Sequence, residues 1–121
     1  MARVPIVRLG ETLIATVQEE LRDRDALALQ EELSSTIERV GAVGVLLDLS
    51  AIQTVDSFLG RLLNDIALET RLLGAHTVVV GIQPAVAITL VELGLELKGV
   101  RTALDPLRGM RLLRQMVSAV G

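Results

Sequence analysis

The stretch from Gly44 to Leu73 constrains this chain more than any other. Val45 to Leu49 is a short apolar run with one acid, Asp48, which is the pattern of a central strand buried on both faces. Beyond it Leu59, Leu62, Leu63, Ile66, Thr70 and Leu73 recur at helical spacing and predict an amphipathic helix. Asp56 and Ser57 stand between the two. A Ser or Asp just before an apolar-periodic run is an N-cap candidate, because its side-chain oxygen can accept a free backbone N–H. The pattern therefore places a hydroxyl at the positive end of a helix packed on a central strand. A phosphate carried there would meet backbone donors and a favourable helix dipole.

The remaining elements follow from punctuation and period. Val4 to Leu9 and Thr12 to Val17 are β-like runs separated by Gly10-Glu11, which predicts a hairpin whose first strand, carrying Pro5, lies at an edge. Asp23 or Asp25 then caps a helix with Ala26, Leu29, Leu33, Ile37 and Val40 on one face, ending at Gly41. The helix beginning at Ser57 closes at Gly74. His76 to Ile82 predicts a buried strand, and Pro84 suits the first turn of the helix that follows. That helix, Ala85 to Leu93, has almost no polar face, so it is either fully buried or half of an interface. Val100 to Leu104 is a short strand candidate. Asp105-Pro106 opens a last helix that carries Met110, Leu113, Val117 and Val120 inward. Helices alternating with strands after an antiparallel opening pair predict a single α/β domain over residues 1–121, with a mixed, mostly parallel sheet and about four packing helices.

Composition narrows function by exclusion. The chain has 121 residues, no cysteine and one histidine, so thiolate chemistry, disulfides and common zinc sites have no ligands. A net charge of −3 and a single aromatic residue, Phe58, speak against nucleic-acid binding, which needs basic charge and stacking platforms. The longest apolar stretch, around Ala85 to Val91, is well short of the ~18 residues that a membrane span requires. No signal peptide is visible, so the expected location is the cytoplasm. The glycines punctuate elements singly and build no phosphate loop, so no cofactor or metal is expected. Hydrophobic residues make up 50% of the chain, more than a small core needs, and this predicts self-association at least to a dimer.

Five candidates follow. Ser57 reads first as a helix cap, a role compatible with accepting a phosphoryl group. Phe58 beside it either fills the core or faces a partner. Asp48 ends the central strand, where phosphoaspartate chemistry would need an acidic pair after the first strand to hold Mg²⁺. Glu11 stands alone there, and the only lysine, Lys98, precedes the last strand, so Asp48 reads as a loop-ordering acceptor together with Ser50. His76 reads as a structural histidine. Arg108, Arg111 and Arg114 form a basic stripe on the last helix, the usual signature of a solvated face.

Asp48-Leu49-Ser50 followed by Val55-Asp56-Ser57 resembles the signature of STAS domains, the module of anti-sigma-factor antagonists, and the element order matches that family over nearly the full chain. Typical antagonists read Asp-Ser-Ser-Gly at the phosphoacceptor, whereas this chain reads Asp56-Ser57-Phe58-Leu59-Gly60. That departure resembles the stressosome scaffold type. So do Gly81-Ile82-Gln83-Pro84-Ala85-Val86-Ala87-Ile88-Thr89-Leu90 with Glu92-Leu93-Gly94, and the later Thr102-Ala103-Leu104-Asp105. The resemblance implies a non-catalytic scaffold, without a sensor domain of its own, that co-assembles with sensor STAS paralogues into a large mixed particle. It further implies that a serine protein kinase of the switch-kinase type is held there and phosphorylates Ser57, that a cognate phosphatase resets the state, and that Asp56, Phe58 and Arg61 face partners. The alternative within the same class is a free antagonist that binds an anti-sigma kinase one to one.

Overall fold

The central strand forms where its sequence predicts, because Val45, Leu46 and Leu47 each find a buried face. In the computed structural model, described for residues 4–19, 21–95, 97 and 100–120, β3 (Gly44–Asp48) lies between β2 (Thr12–Thr16) and β4 (His76–Val80), parallel to both. Val45, Leu47 and Leu49 point to one side, together with Leu13, Ala15 and Val79. Leu46 points to the other, with Val78 and Val80. Val45, Leu46, Leu47 and Leu49 have no exposed surface, and each such side chain contributes about 1.5–3 kcal/mol of burial. A strand sandwiched between two layers shows no polar alternation. This is why its sequence reads as one apolar run.

The sheet order is β1-β2-β3-β4-β5, with β1 (Ile6–Leu9) antiparallel to β2 and β5 (Arg101–Ala103) parallel to β4. The strands advance across the sheet in chain order. Right-handed crossovers that always step the same way place their helices on the same face. Accordingly α1 (Asp23–Val40), α2 (Ser57–Leu72) and α3 (Pro84–Glu92) bury Leu29, Leu33, Leu62, Leu63, Ile66, Val86 and Leu90 in one core. The last helix, α4 (Pro106–Val120), follows the final strand and covers the opposite face with Leu113, flanked by Met110, Leu112 and Met116. Gly109 lets it approach closely: a Cβ there would stand 2.5 Å from Val80 Cγ1 and 2.6 Å from Leu46 Cδ1.

The architecture agrees with the sequence expectation of a mixed, mostly parallel sheet with four helices. Local differences are instructive. The strand expected over 76–82 stops at Val80, because Gly81 takes a left-handed φ of 76° and turns the chain. The cap of α1 is neither Asp23 nor Asp25. Arg22 is the cap residue, and Asp25 reaches back to accept its backbone N–H at 3.1 Å, half of a capping box. In α4, Leu113 and Met110 point inward as expected and Met116 joins them, while the Val120 side chain lies outside the described residues.

The α3 helix is not fully buried, the first of its two expectations, and it leaves an apolar face exposed. Val86 and Leu90 are 1% and 5% exposed and belong to the core, while Ile88, Val91 and Leu93 stand out of it. Its uniform apolarity therefore hides two faces of different fate. Val86→Glu should abolish cooperative folding, since an unpaired buried carboxylate costs several kcal/mol of a total of about 5–15. Val91→Glu, at a position 79% exposed, should stay within about 0.5 kcal/mol of the parent. Urea unfolding of the two variants checks both outcomes.

Candidate functional site at the head of α2

The first turn of α2 divides two tasks between adjacent residues. Asp56 is the N-cap, in extended backbone, and its Oδ1 accepts the backbone N–H of Leu59 at 3.0 Å. Ser57 is the first helical residue. It is exposed, and its hydroxyl makes no hydrogen bond among the described residues. The expectation that Ser57 itself caps the helix is thus corrected: the carboxylate of Asp56 does so, one residue earlier, leaving the hydroxyl uncommitted at the positive end of the dipole. Phe58 resolves as an intermediate case, half-buried and packed against the main core while its remaining surface lines two clefts. Arg61 lies one turn further along α2, exposed, with no ion pair among the described residues.

The two clefts meet at Phe58. One, of about 370 Å³, is bounded by Gln18, Glu19, Leu21, Ile52 and Asp56. The other, of about 270 Å³, runs between α1 and α2 past Ala26, Leu27, Arg61 and Asp65. The structure therefore brings Asp56, Ser57, Phe58 and Arg61 together on one surface at the carboxyl end of the central strands.

The loop from β3 to α2 is ordered from both sides. Asp48 Oδ1 accepts the Ser50 N–H at 2.9 Å, as its place at the strand end suggests. The Gln83 side-chain amide donates to the Ser50 carbonyl at 2.8 Å, and the Gln53 N–H donates to Glu19 Oε1 at 2.7 Å. Gly81 lies so close that a Cβ would stand 2.9 Å from Ser50 Cβ and 3.0 Å from Asp48 Oδ1. The tethering roles of Glu19 and Gln83 escaped the sequence reading. Their partners lie 34 and 33 residues away, and no periodicity marks such bonds.

The other candidates are structural. Among the described residues no group of acidic or histidine side chains is arranged to hold a metal, and no helix is long and apolar enough to cross a membrane. His76 Nδ1 accepts from Arg71 Nη1 at 2.7 Å. Arg108 reaches its own cap residue, Asp105, at 3.8 Å, and Arg111 and Arg114 are exposed on the same helix.

Comparison with known proteins decides the family. The family model for the STAS domain matches residues 3–105. The chain belongs to the STAS family. As a STAS domain it superposes on a solved structure of a serine-to-glutamate variant of RsbS from Moorella thermoacetica, with a TM-score of 0.82 and 38% identity over 97% of this chain and 99% of that one. A chain from a structure titled as the molecular architecture of the stressosome gives 0.81 and 39%, over 93% and 98%. In sequence, the RsbT co-antagonist protein RsbRD of Bacillus subtilis is 34% identical over 73 residues. That match takes in 58% of this chain and only 26% of RsbRD, so the STAS domain here spans about a quarter of that relative. The anti-sigma factor antagonist SpoIIAA, at 14% identity and a TM-score of 0.72, shares the fold.

The division between Asp56 and Ser57 has a measurable consequence. Asp56→Ala should destabilise the domain by about 1 kcal/mol, the usual worth of a cap, whereas Ser57→Ala should be close to neutral by urea denaturation. A second expectation concerns pH. Burial, and then the Arg71 cation, hold His76 below its ordinary value of 6.5. The unfolded chain therefore takes up this proton first as pH falls, so the contribution is full above 6.5 and is lost as pH drops through that value toward the lower folded one. His76→Gln should flatten the decline in melting temperature just below pH 6.5. An unchanged slope would mean that another group sets it.

Proposed function

We propose that this STAS domain is a non-catalytic scaffold and phosphoswitch of a bacterial stressosome. In this reading it co-assembles in the cytoplasm with sensor STAS paralogues, as a dimer or larger unit within a mixed particle. It holds a serine kinase that phosphorylates Ser57 on stress, and a cognate phosphatase restores the hydroxyl. The observation that carries the reading is the uncommitted Ser57 hydroxyl, exposed beside a cap that another residue already supplies. A hydroxyl in that position can be modified without removing any bond the fold uses. The likeness to RsbS over nearly the whole chain supports the scaffold role, and the likeness to RsbRD supports neighbours of related shape.

The chemistry of the switch is electrostatic. Phosphorylation adds about −1.5 to −2 charges at neutral pH. At the head of α2 the dipole offsets part of this by about 0.3–1 kcal/mol, while the Asp56 carboxylate opposes it, so the domain itself should persist. The change falls on the partner. A kinase surface fitted to a neutral hydroxyl, to the exposed part of Phe58 and to Arg61 would have to desolvate a dianion, and an uncompensated buried charge costs several kcal/mol.

Retention of the kinase by the assembled particle tests this directly. After ATP is added, wild-type particles should release kinase on a sizing column, particles with Ser57→Ala should keep it, and Ser57→Asp should retain less from the outset. Equal release from wild type and Ser57→Ala would overturn the phosphoswitch.

A further inference from the structure

The loop between β3 and α2 is held by its neighbours more than by itself. Ile52 is buried, and its N–H donates to the Leu49 carbonyl at 2.9 Å. At the far end Asp56 caps α2. Between these anchors Thr54 and Val55 make no hydrogen bond among the described residues. Asp48 Oδ1 holds the Ser50 N–H where the loop begins, and two further side chains support it from outside. Glu19, in the β2–α1 connection, accepts the Gln53 N–H, and Gln83, at the start of α3, donates to the Ser50 carbonyl.

Topology explains the arrangement. The strands β2, β3 and β4 are adjacent and parallel, so the three connections leaving their carboxyl ends lie side by side with the Ser57 loop in the middle. Glu19 grips that loop from one flank and Gln83 from the other. Glu19 also forms part of the wall of the 370 Å³ cleft that Asp56 and Phe58 complete.

We propose that Glu19 and Gln83 are positioning residues that hold the 50–56 loop in the one conformation that presents Ser57 and Phe58 to the kinase. The inference rests on the phosphoswitch reading of Ser57. Neither residue touches the reacting hydroxyl. Each acts by raising the fraction of molecules whose loop is already seated, and the apparent affinity of a partner scales with that fraction. Removing one side chain–backbone hydrogen bond of ordinary strength should lower the ratio of seated to unseated loop about fivefold. The loss belongs to docking, so KM for this chain as kinase substrate should rise, by up to that factor, while kcat stays unchanged.

The experiment uses the full chain in four forms: wild type, Glu19→Met, Gln83→Met and Glu19→Gln. Glu19→Gln keeps an acceptor oxygen at the same place and serves as the rescue. Amide hydrogen exchange by NMR reports the loop, and steady-state phosphorylation of Ser57 by the kinase with ATP reports its consequence. The expected result is faster exchange at Gln53 in Glu19→Met, a KM raised by up to about fivefold in both methionine variants with kcat unchanged, and near wild-type values in Glu19→Gln. Faster loop exchange with an unchanged KM would overturn the inference alone, as would a fall in kcat at constant KM or a Glu19→Gln variant that behaves like Glu19→Met. A wild-type chain that takes no phosphate on Ser57 would overturn the phosphoswitch and this inference together, and the exchange data would then show only whether the tethers hold the loop.

Discussion

Parallel pairing of β3 with a neighbour on each side is the constraint on which the rest of this domain depends. It requires crossovers, and with strands advancing in order the crossovers deliver α1, α2 and α3 to one face. It buries the central strand on both sides, which leaves its carboxyl end as the place where polar groups can emerge. It also aligns the three connections that follow β2, β3 and β4. The head of α2, with Asp56, Ser57 and Phe58, is carried to the surface by the middle one.

In the proposed switch, stability and signalling use different atoms. Asp56 satisfies the Leu59 N–H, Asp48 orders Ser50, and the main core anchors one side of Phe58. None of these bonds involves the Ser57 hydroxyl. In that proposal a charge added there would act on whatever approaches the surface and leave the helix intact. The same separation explains why the lone aromatic residue can serve both a core and an exposed surface: its ring is fixed from below while its outer edge borders two clefts.

The sheet and its helices were legible because β3 and β4 are buried on both faces and α1 and α2 on one, so period and burial coincide. The hairpin was legible from Gly10-Glu11 between two β-like runs. Other features depend on geometry that pattern does not encode. Adjacent Asp56 and Ser57 are both good caps, and only the backbone shows that Asp56 takes the role. The cap of α1 went to Arg22, whose side chain gives no such signal, because Asp25 three residues on supplies the acceptor. In α3 the inward and outward residues are equally aliphatic, so no sequence contrast separates Val86 from Val91. The tethers from Glu19 and Gln83 join residues distant in the chain, and Gly109 is small because Leu46 and Val80 crowd it from strands far upstream.

The central claim is that one hydroxyl, Ser57, carries the signal. Site-resolved mass spectrometry of the chain after incubation with the kinase and ATP tests it most directly. The account predicts phosphate on Ser57, with Ser57→Ala taking none. Phosphate on Ser50, Thr54 or Ser118 with Ser57 unmodified would contradict it.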